Sequence, residues 1–184
     1  MENTRVAVFI DGANLFFLQN KDLQWSIDLR KLLSYIGTYY GKVVDAYYYI
    51  GLEATPDTGM QGFLNALPKM GYALRTKPIK TVGGKRKGNL DVEIVLDMFS
   101  TIDLYDTAVL VSGDGDFDRA LQLLRAKGKR FKVLSTEGFV AHELRNTAGM
   151  HYIDLANLRA ELEKTSQSNV EDAKLAKKFA DELI

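Results

Sequence analysis

The chain has 184 residues, of which 46% are hydrophobic and 10% aromatic, and this is enough for one compact domain with a substantial core. It contains no cysteine, which excludes disulfides, thiolate nucleophiles and zinc-thiolate or iron-sulfur sites and is typical of a reduced, cytoplasmic protein. Lysine plus arginine and aspartate plus glutamate each number 24, so any attraction to a polyanion must come from a local excess of basic residues. The first residues run directly into an apolar strand and no apolar run approaches about 18 residues, so we expect neither a signal peptide nor a membrane span.

Short apolar runs alternate along the chain with segments of helical period. This alternation predicts an α/β fold with a mostly parallel central sheet of five or six strands and helices on both faces. The predicted strands are, in order, residues 6–10, 43–50, 72–76, 107–111, 131–135 and, as a sixth, 151–153. One-sided helices are predicted around residues 29–36, 60–67 and 117–124. In residues 90–99 apolar side chains surround the helix axis, so we expect that helix to be largely buried apart from its acids.

The C-terminal segment differs in composition from the rest of the chain. We expect residues 1–164 to form one domain and residues 165–184 to be a linker and a short C-terminal helix. The apolar stripe of that helix would pack back on the domain or meet a partner; its members are Ala173, Ala176, Phe179, Ala180 and Leu183.

Three aspartates crowd into the segment that follows the fourth predicted strand, Ser112-Gly-Asp-Gly-Asp-Phe-Asp118. At an effective dielectric near 20, two carboxylates about 5 Å apart repel by roughly 3 kcal/mol, so such a cluster favours a bound cation. Helix capping is the alternative, with Asp114 as the N-cap and Asp116 and Asp118 complementing the helix dipole. This segment alone leaves both interpretations open.

Other acids and polar residues are expected at the same edge of the sheet. Asp11 ends the first strand, and ligands of open α/β sheets bind outside the carboxyl ends of the strands. If the first and fourth predicted strands are neighbours, Asp11, Asp114 and Asp116 converge, and Asp91 joins them if a helix begins there. Carboxylate oxygens suit Mg²⁺ or Mn²⁺ rather than zinc or copper. Each acid also has a structural interpretation, with Asp11 in a turn and Asp91 complementing a helix dipole.

Accessory positions near these acids have two interpretations as well. Asn14 either caps the next helix or holds the Asp11 carboxylate or a substrate phosphate, and Ser112 is expected to act as a strand-end hydroxyl rather than a nucleophile. Asp97 lies about 120° from Asp91 around an ideal helix, which makes it a weaker candidate for ligation. Asp118 is likewise ranked below Asp116.

A local excess of positive charge precedes Asp91. Six basic residues and no acid occur from Arg75 to Lys87, among them Lys85, Arg86 and Lys87, and Gly83-Gly84 indicates a hairpin tip. Such a loop either is merely solvated or lies beside the acids as a cationic arm for the phosphates of a nucleic acid. A further group of side chains could stack bases or simply pack, namely Tyr39, Tyr40, Tyr47, Tyr48 and Tyr49.

Three ordered motifs resemble a known family. They are Phe9-Ile-Asp-Gly-Ala-Asn14, Lys87-Gly-Asn-Leu-Asp-Val92 continuing to Asp97-Met98, and Val111-Ser-Gly-Asp-Gly-Asp-Phe117. Together they resemble the NYN domain of the PIN-like nuclease superfamily, and in particular bacterial LabA-type proteins, over about residues 5–155.

The resemblance implies a three-layer PIN-like α/β/α fold and an Mg²⁺- or Mn²⁺-dependent endoribonuclease site. The family's acidic positions match Asp11, Asp91, Asp114 and Asp116, and its accessory positions match Asn14, Ser112 and Lys87. RNA is then the expected partner, with a homo-oligomer left open. A non-catalytic RNA-binding or regulatory protein that keeps the fold and the metal site is the alternative function.

Overall fold

The structure is a computed structural model that describes residues 4–82, 85–87 and 89–164, with the backbone alone for 80–82 and 85–87. The predicted hairpin tip at Gly83-Gly84 and the predicted linker and C-terminal helix at 165–184 lie outside the described residues.

A six-stranded parallel sheet forms the centre of the molecule, which confirms the predicted fold class. Its strands are β1 (Arg5–Asp11), β2 (Lys42–Leu52), β3 (Ala73–Pro78), β6 (Thr107–Val111), β7 (Arg130–Ser135) and β8 (Tyr152–Asp154). They lie in the order β3-β2-β1-β6-β7-β8, so the chain moves outward from β1 on one side and then returns to its other side. The strand order therefore reverses between β1 and β6, where ligand sites form in open α/β sheets.

Helices cover both faces of this sheet. The described helices are α1 (Gly12–Leu18), α2 (Leu29–Tyr40), α3 (Thr58–Ala66), α4 (Asp91–Ser100), α5 (Asp118–Ala126), α6 (His142–Ala148) and α7 (Arg159–Leu162). Buried residues of α1, α2, α3 and α7 pack on one face, and those of α4, α5 and α6 pack on the other. None of the helices in the described part of the chain is long and apolar enough to cross a membrane.

Strand β1 shows why the sheet needs both helical layers. Val6, Val8 and Ile10 belong to one core cluster, whereas Ala7 and Phe9 belong to the other. Side chains alternate between the two faces of a strand, so a continuous apolar run is buried only when both faces are covered.

Helix α4 corrects one prediction. Ile94 and Met98 are buried, but Val92 is 67% exposed and Leu96 is 62% exposed, so the helix is one-sided rather than largely buried. Leucine and valine are not forced inside when a helix packs by one face only, because burial follows the neighbouring elements and not hydrophobicity alone.

The basic run also has a local structure that the sequence indicated only by its glycines. Residues Lys80–Val82 (β4) pair with Lys85–Lys87 (β5) as a small antiparallel sheet separate from the central one. This hairpin lies in the chain between β3 and the start of α4, where Asp91 is found.

Candidate metal centre

The strand register brings Asp11 and the loop after β6 to the same edge. Ile10 pairs with Val111 in the parallel ladder, so Asp11 and Ser112 follow at equivalent positions. Asp11 is only 9% exposed and is the N-cap of α1, where its Oδ1 accepts a hydrogen bond from the Asn14 backbone N–H at 3.0 Å. Capping of this kind satisfies a helix N–H that would otherwise have no partner.

Hydrogen bonds join the end of β1 and the start of α1 to the loop that follows β6. The Ser112 hydroxyl donates to Asp11 Oδ2 at 3.1 Å and accepts from the Asp114 backbone N–H at 3.2 Å. The Asn14 side-chain oxygen accepts from the Gly113 backbone N–H at 2.9 Å. Asn14 and Ser112 therefore fix the relative position of Asp11 and Asp114. The N-cap of the helix after β1 is Asp11, and not Asn14 as one of the two interpretations of the sequence had it.

Gly113 is needed for this arrangement because the loop passes close to another segment. A Cβ atom at this position would lie 2.3 Å from the Phe139 carbonyl oxygen and 2.6 Å from Ser135 Oγ. Real Cβ atoms do not approach backbone that closely, so any side chain at Gly113 would displace the loop that carries Asp114.

Three carboxylates meet at this edge. One oxygen each from Asp91, Asp114 and Asp116 lies within 4.8 Å of the others. We call these three residues the acidic group. Asp91 is the first residue of α4, as its predicted role required, and Asp114 and Asp116 follow β6.

The capping and metal interpretations of the Asp114 segment are compatible. Asp114 Oδ1 accepts from the Asp116 backbone N–H at 2.9 Å and so caps the short 3₁₀ helix Gly115–Phe117. A carboxylate has two oxygens and several lone pairs, so this cap leaves acceptor capacity on Asp114 for another ligand.

Asn89 supports Asp91 and was missed in the sequence. Its Oδ1 accepts from the Asp91 backbone N–H at 2.7 Å, and its side-chain amide donates to the Asp91 carboxylate. An asparagine two residues before a helix start is a recognisable capping signal, and it could have pointed to this contact.

The electrostatics of this edge are unfavourable for carboxylates without a cation. Burial raises the pKa of Asp11 to about 6, and the charges of Asp91 and Asp114 act in the same direction against the hydrogen bonds from Asn14 and Ser112. The pKa of Asp91 is also raised, first by burial and then by Asp114 and Asp116. Among the described side chains, no lysine or arginine forms an ion pair with Asp11 or with the acidic group.

Two further acids lie outside the acidic group. Asp97 accepts from the Tyr49 hydroxyl at 2.9 Å and from Arg75 Nε at 3.0 Å. Asp118 Oδ2 accepts from the Gln122 side-chain amide at 2.8 Å, on the surface of α5. Both were ranked below Asp91 and Asp116 from the sequence, and both have protein partners instead.

The predicted phosphate-binding residues are located only in part. Lys85, Arg86 and Lys87 form β5, for which the structure describes the backbone alone. Two earlier members of the basic run are already paired with α4, since Arg75 contacts Asp97 and Lys77 contacts Glu93 at 2.8 Å.

The donor set fits a hard divalent cation. The group consists of carboxylate oxygens, and at a separation of 4.8 Å or less these oxygens can reach one ion together. Mg²⁺ and Mn²⁺ prefer such oxygen donors and commonly use a few carboxylates with water in the other positions.

Known proteins share both the sequence and the fold. The model of the NYN domain family matches residues 5–158. The chain is 45% identical over 172 residues to the low amplitude and bright protein LabA of Synechococcus elongatus, covering 89% of this chain and 90% of LabA. It also superposes on the crystal structure of a Vibrio parahaemolyticus protein of unknown function with a TM-score of 0.72 and 25% identity, over 83% of this chain and 93% of that one. The chain therefore belongs to the NYN domain family of PIN-like nuclease-related proteins.

Proposed function

We propose that the protein is a divalent-metal-dependent ribonuclease that hydrolyses phosphodiester bonds of RNA. The observation that carries the proposal is the convergence of Asp91, Asp114 and Asp116 beside the buried Asp11, with no described cation to balance them. An arrangement that is electrostatically costly without a ligand is typical of functional sites, and family membership supports a nuclease.

The acidic group would hold Mg²⁺ or Mn²⁺, with Asp11 as the fourth ligand. A divalent ion there would lower the pKa of a water molecule and neutralise charge on the phosphate oxygens. Asp11 is held ready for this role by Asn14 and Ser112, because both of its oxygens are already oriented by hydrogen bonds. Asn14 and Ser112 thus act as positioning residues, which keep the carboxylates in place before RNA arrives.

Lys85, Arg86 and Lys87 would hold the RNA backbone. They stand in the hairpin that precedes α4, and so they are close in sequence to Asp91 at the start of that helix. Arg75 and Lys77 pair with Asp97 and Glu93, so the later part of the basic run is the better source of phosphate contacts.

The first test measures cleavage of single-stranded and structured RNA with Mn²⁺, with Mg²⁺ and with a chelator. We expect Asp116→Asn to lower the cleavage rate by at least about 100-fold, because it removes one metal ligand. Asp118→Asn is the matched control, since Asp118 is only two residues away and bonds Gln122, and its rate should stay within a few-fold of the unmodified protein.

Two outcomes would contradict this proposal. Cleavage that survives both the chelator and Asp116→Asn would exclude the metal mechanism. RNA binding without cleavage, by a preparation that binds Mn²⁺, would instead support the regulatory RNA-binding function.

The hairpin is tested through salt dependence. Replacing Lys85, Arg86 and Lys87 by glutamate should weaken RNA binding and flatten the decrease of affinity with salt, because fewer counterions are released per complex. The control reverses the same number of charges at the exposed Lys42, Lys69 and Lys127, which lie at or shortly before the amino ends of β2, β3 and β7. Equal effects of the two triple variants, measured by fluorescence anisotropy over a salt series, would show that only net charge matters.

A further inference from the structure

A large cavity opens beside the acidic group. Its volume is about 650 Å³, which lies in the range of small-ligand sites, and Asp11, Asn89, Asp91 and Asp114 form part of its wall. The rest of the wall is mainly apolar or aromatic and includes Phe16, Phe17, Ile27, Met60, Phe63 and Leu90. A wall that combines carboxylates with apolar and aromatic side chains is typical of a site for a molecule that is itself part charged and part flat and apolar.

Tyr48 lines this cavity and is held in place from several sides. Its ring lies against the first turn of α1, where a Cβ at Gly12 would come within 2.6 Å of Tyr48 Cε1. It also makes edge contacts with the rings of Phe63 at 5.5 Å and Tyr72 at 6.2 Å between centroids. The residue at position 12 must therefore be glycine for this ring to sit next to Asp11.

The Tyr48 hydroxyl makes no hydrogen bond with the described residues, and its oxygen is not among the fully buried polar atoms, so it is accessible in the cavity wall. Two neighbouring tyrosines show the usual behaviour, since the Tyr49 hydroxyl donates to Asp97 and the Tyr72 hydroxyl donates to the Leu29 carbonyl oxygen, each at 2.9 Å. A hydroxyl that opens into a cavity without a protein partner is free to donate a hydrogen bond to water or to a bound molecule.

The position of the cavity restricts the chemistry of that molecule. A phosphate at the acidic group would carry its sugar and base into the space that Asp11, Asp91 and Asp114 share with the apolar wall. A nucleobase has flat faces that stack on aromatic side chains and a polar edge that can bond a phenol hydroxyl. Sugar or phosphate alone would leave the apolar wall uncovered.

We propose that this cavity is a nucleobase subsite, which takes the base of the nucleotide next to the phosphate at the acidic group and bonds it through Tyr48. The proposal rests on the proposed function for the placement of the phosphate. The cavity itself is defined independently, by its apolar wall and its unpartnered hydroxyl.

The C-terminal segment of the chain is a second candidate occupant of the cavity. Lys164 also lines the cavity, and its backbone N–H donates to the Ser26 carbonyl oxygen at 2.9 Å, so the last described residue lies at the cavity. If the acidic group holds a divalent cation, as in the proposed function, that part of the cavity attracts the phosphate of a nucleotide rather than this segment. The experiment separates the two.

The test measures equilibrium binding to the full chain by isothermal titration calorimetry, so that it does not depend on catalysis. The probes are the four ribonucleoside monophosphates and ribose 5-phosphate, each with Mn²⁺, and the four nucleosides with a chelator. We expect at least one ribonucleoside monophosphate to bind about 10-fold or more tightly than ribose 5-phosphate, because of the stacked base. Tyr48→Phe should reduce that preference about 5-fold.

Tyr72→Phe is the matched control, since it removes a hydroxyl from the same cluster of rings whose partner is protein backbone. It should lower the unfolding midpoint in urea and leave the base preference unchanged. Tyr48→Phe should reduce the base preference and should not lower the unfolding midpoint. If the Tyr48 hydroxyl had only a structural role, Tyr48→Phe would lower the unfolding midpoint as Tyr72→Phe does.

The outcomes separate the two proposals. Equal binding of ribose 5-phosphate and all four ribonucleoside monophosphates would overturn the base subsite, as would an unchanged preference in Tyr48→Phe. Nucleoside binding that depends on Tyr48, without any Mn²⁺-dependent phosphate binding, would support the subsite and count against the proposed function alone. If Phe179→Asp in the C-terminal segment lowers the unfolding midpoint and neither protein prefers any ribonucleoside monophosphate over ribose 5-phosphate, that segment fills the cavity and the subsite is overturned.

Discussion

The two ends of strands β1 and β6 carry aspartates in opposite electrostatic states. At the amino end, Arg5 Nη2 lies 2.8 Å from Asp106 Oδ1, and this guanidinium lowers the pKa of Asp106 to about 2. At the carboxyl end, the pKa of Asp11 is raised to about 6, mainly by burial, with the nearby Asp91 and Asp114 acting in the same direction. The same residue type on the same two strands is thus neutralised at one edge and left uncompensated at the other.

This difference separates an edge whose aspartate is paired within the chain from an edge whose acids are not, and the proposed function uses the second. An exposed ion pair such as Arg5 and Asp106 links the ends of two strands and needs nothing from outside the chain. The carboxyl edge has several acids and no described lysine or arginine paired with them, so within the described residues their charges are not balanced by the chain itself.

The largest effect is expected on metal binding. Asp91→Asn should lower Mn²⁺ affinity by at least about 100-fold, because it removes one of three converging carboxylates. Asp97→Asn, on the same helix, should change the affinity by no more than a few-fold, because Asp97 bonds Tyr49 and Arg75. Calorimetric titration with Mn²⁺ measures both, and a similar loss in the two variants would show that total negative charge, not the geometry of the acidic group, binds the ion.

The second effect is on stability without metal. Asp11 has an ordinary pKa of 3.8 and a folded-state pKa of about 6, so between these values the folded protein binds more protons than the unfolded chain. The free energy of unfolding therefore falls as pH rises from about 4 to about 6. Asp11→Asn should remove this loss and stabilise the protein at pH 7 by on the order of 2 to 3 kcal/mol, with little change at pH 4.

Urea unfolding in the presence of a chelator, at pH 4 and pH 7, measures this effect. If the free energy of unfolding changes with pH in the same way in the variant and in the unmodified protein, the pKa of Asp11 is not raised in the folded state. Loss of metal binding in the same variant would show that the destabilising carboxylate is the one that function requires.

The smallest effect belongs to the amino edge and has the opposite sign. Asp106→Asn should destabilise the protein at pH 7 by at most about 1 kcal/mol, because the ion pair is exposed and screened by solvent. The pKa of Asp106 is lowered from 3.8 to about 2, so its contribution is complete above about pH 4 and is lost as pH falls through about 2. Urea midpoints at pH 7 and pH 2.5 test this; a variant more stable than the unmodified protein at pH 7 would contradict the assignment.

The strands were predictable because they are apolar on both faces. A run such as Thr107-Ala-Val-Leu-Val111 has no polar side to place in water, so it is buried as a central strand wherever the two helical layers cover it. Asp11 and Asp114 were predictable for a related reason, since acids that directly follow such strands must lie at the carboxyl edge.

Features that depend on how neighbouring elements meet were not predictable. The exposure of Val92 and Leu96 follows from which face of α4 contacts the sheet, and periodicity showed only that both faces were apolar. The unpartnered hydroxyl of Tyr48 depends on the distance to α1 and α3 across the cavity. Sequence placed Tyr48 among residues that pack or stack, and only coordinates show that its neighbours Tyr49 and Tyr72 have partners.

The strand order has a consequence for how the protein is made. β1 pairs with β2 on one side and with β6 on the other, and Val6 meets Thr107 only after most of the chain has been synthesised. Until then one edge of β1 is open, and open apolar edges pair readily with other chains. Closing that edge also brings Ser112 and Asp114 to Asp11, so the carboxylates come together only when β6 has paired with β1. The acidic edge is therefore complete only in molecules in which both edges of β1 are already paired.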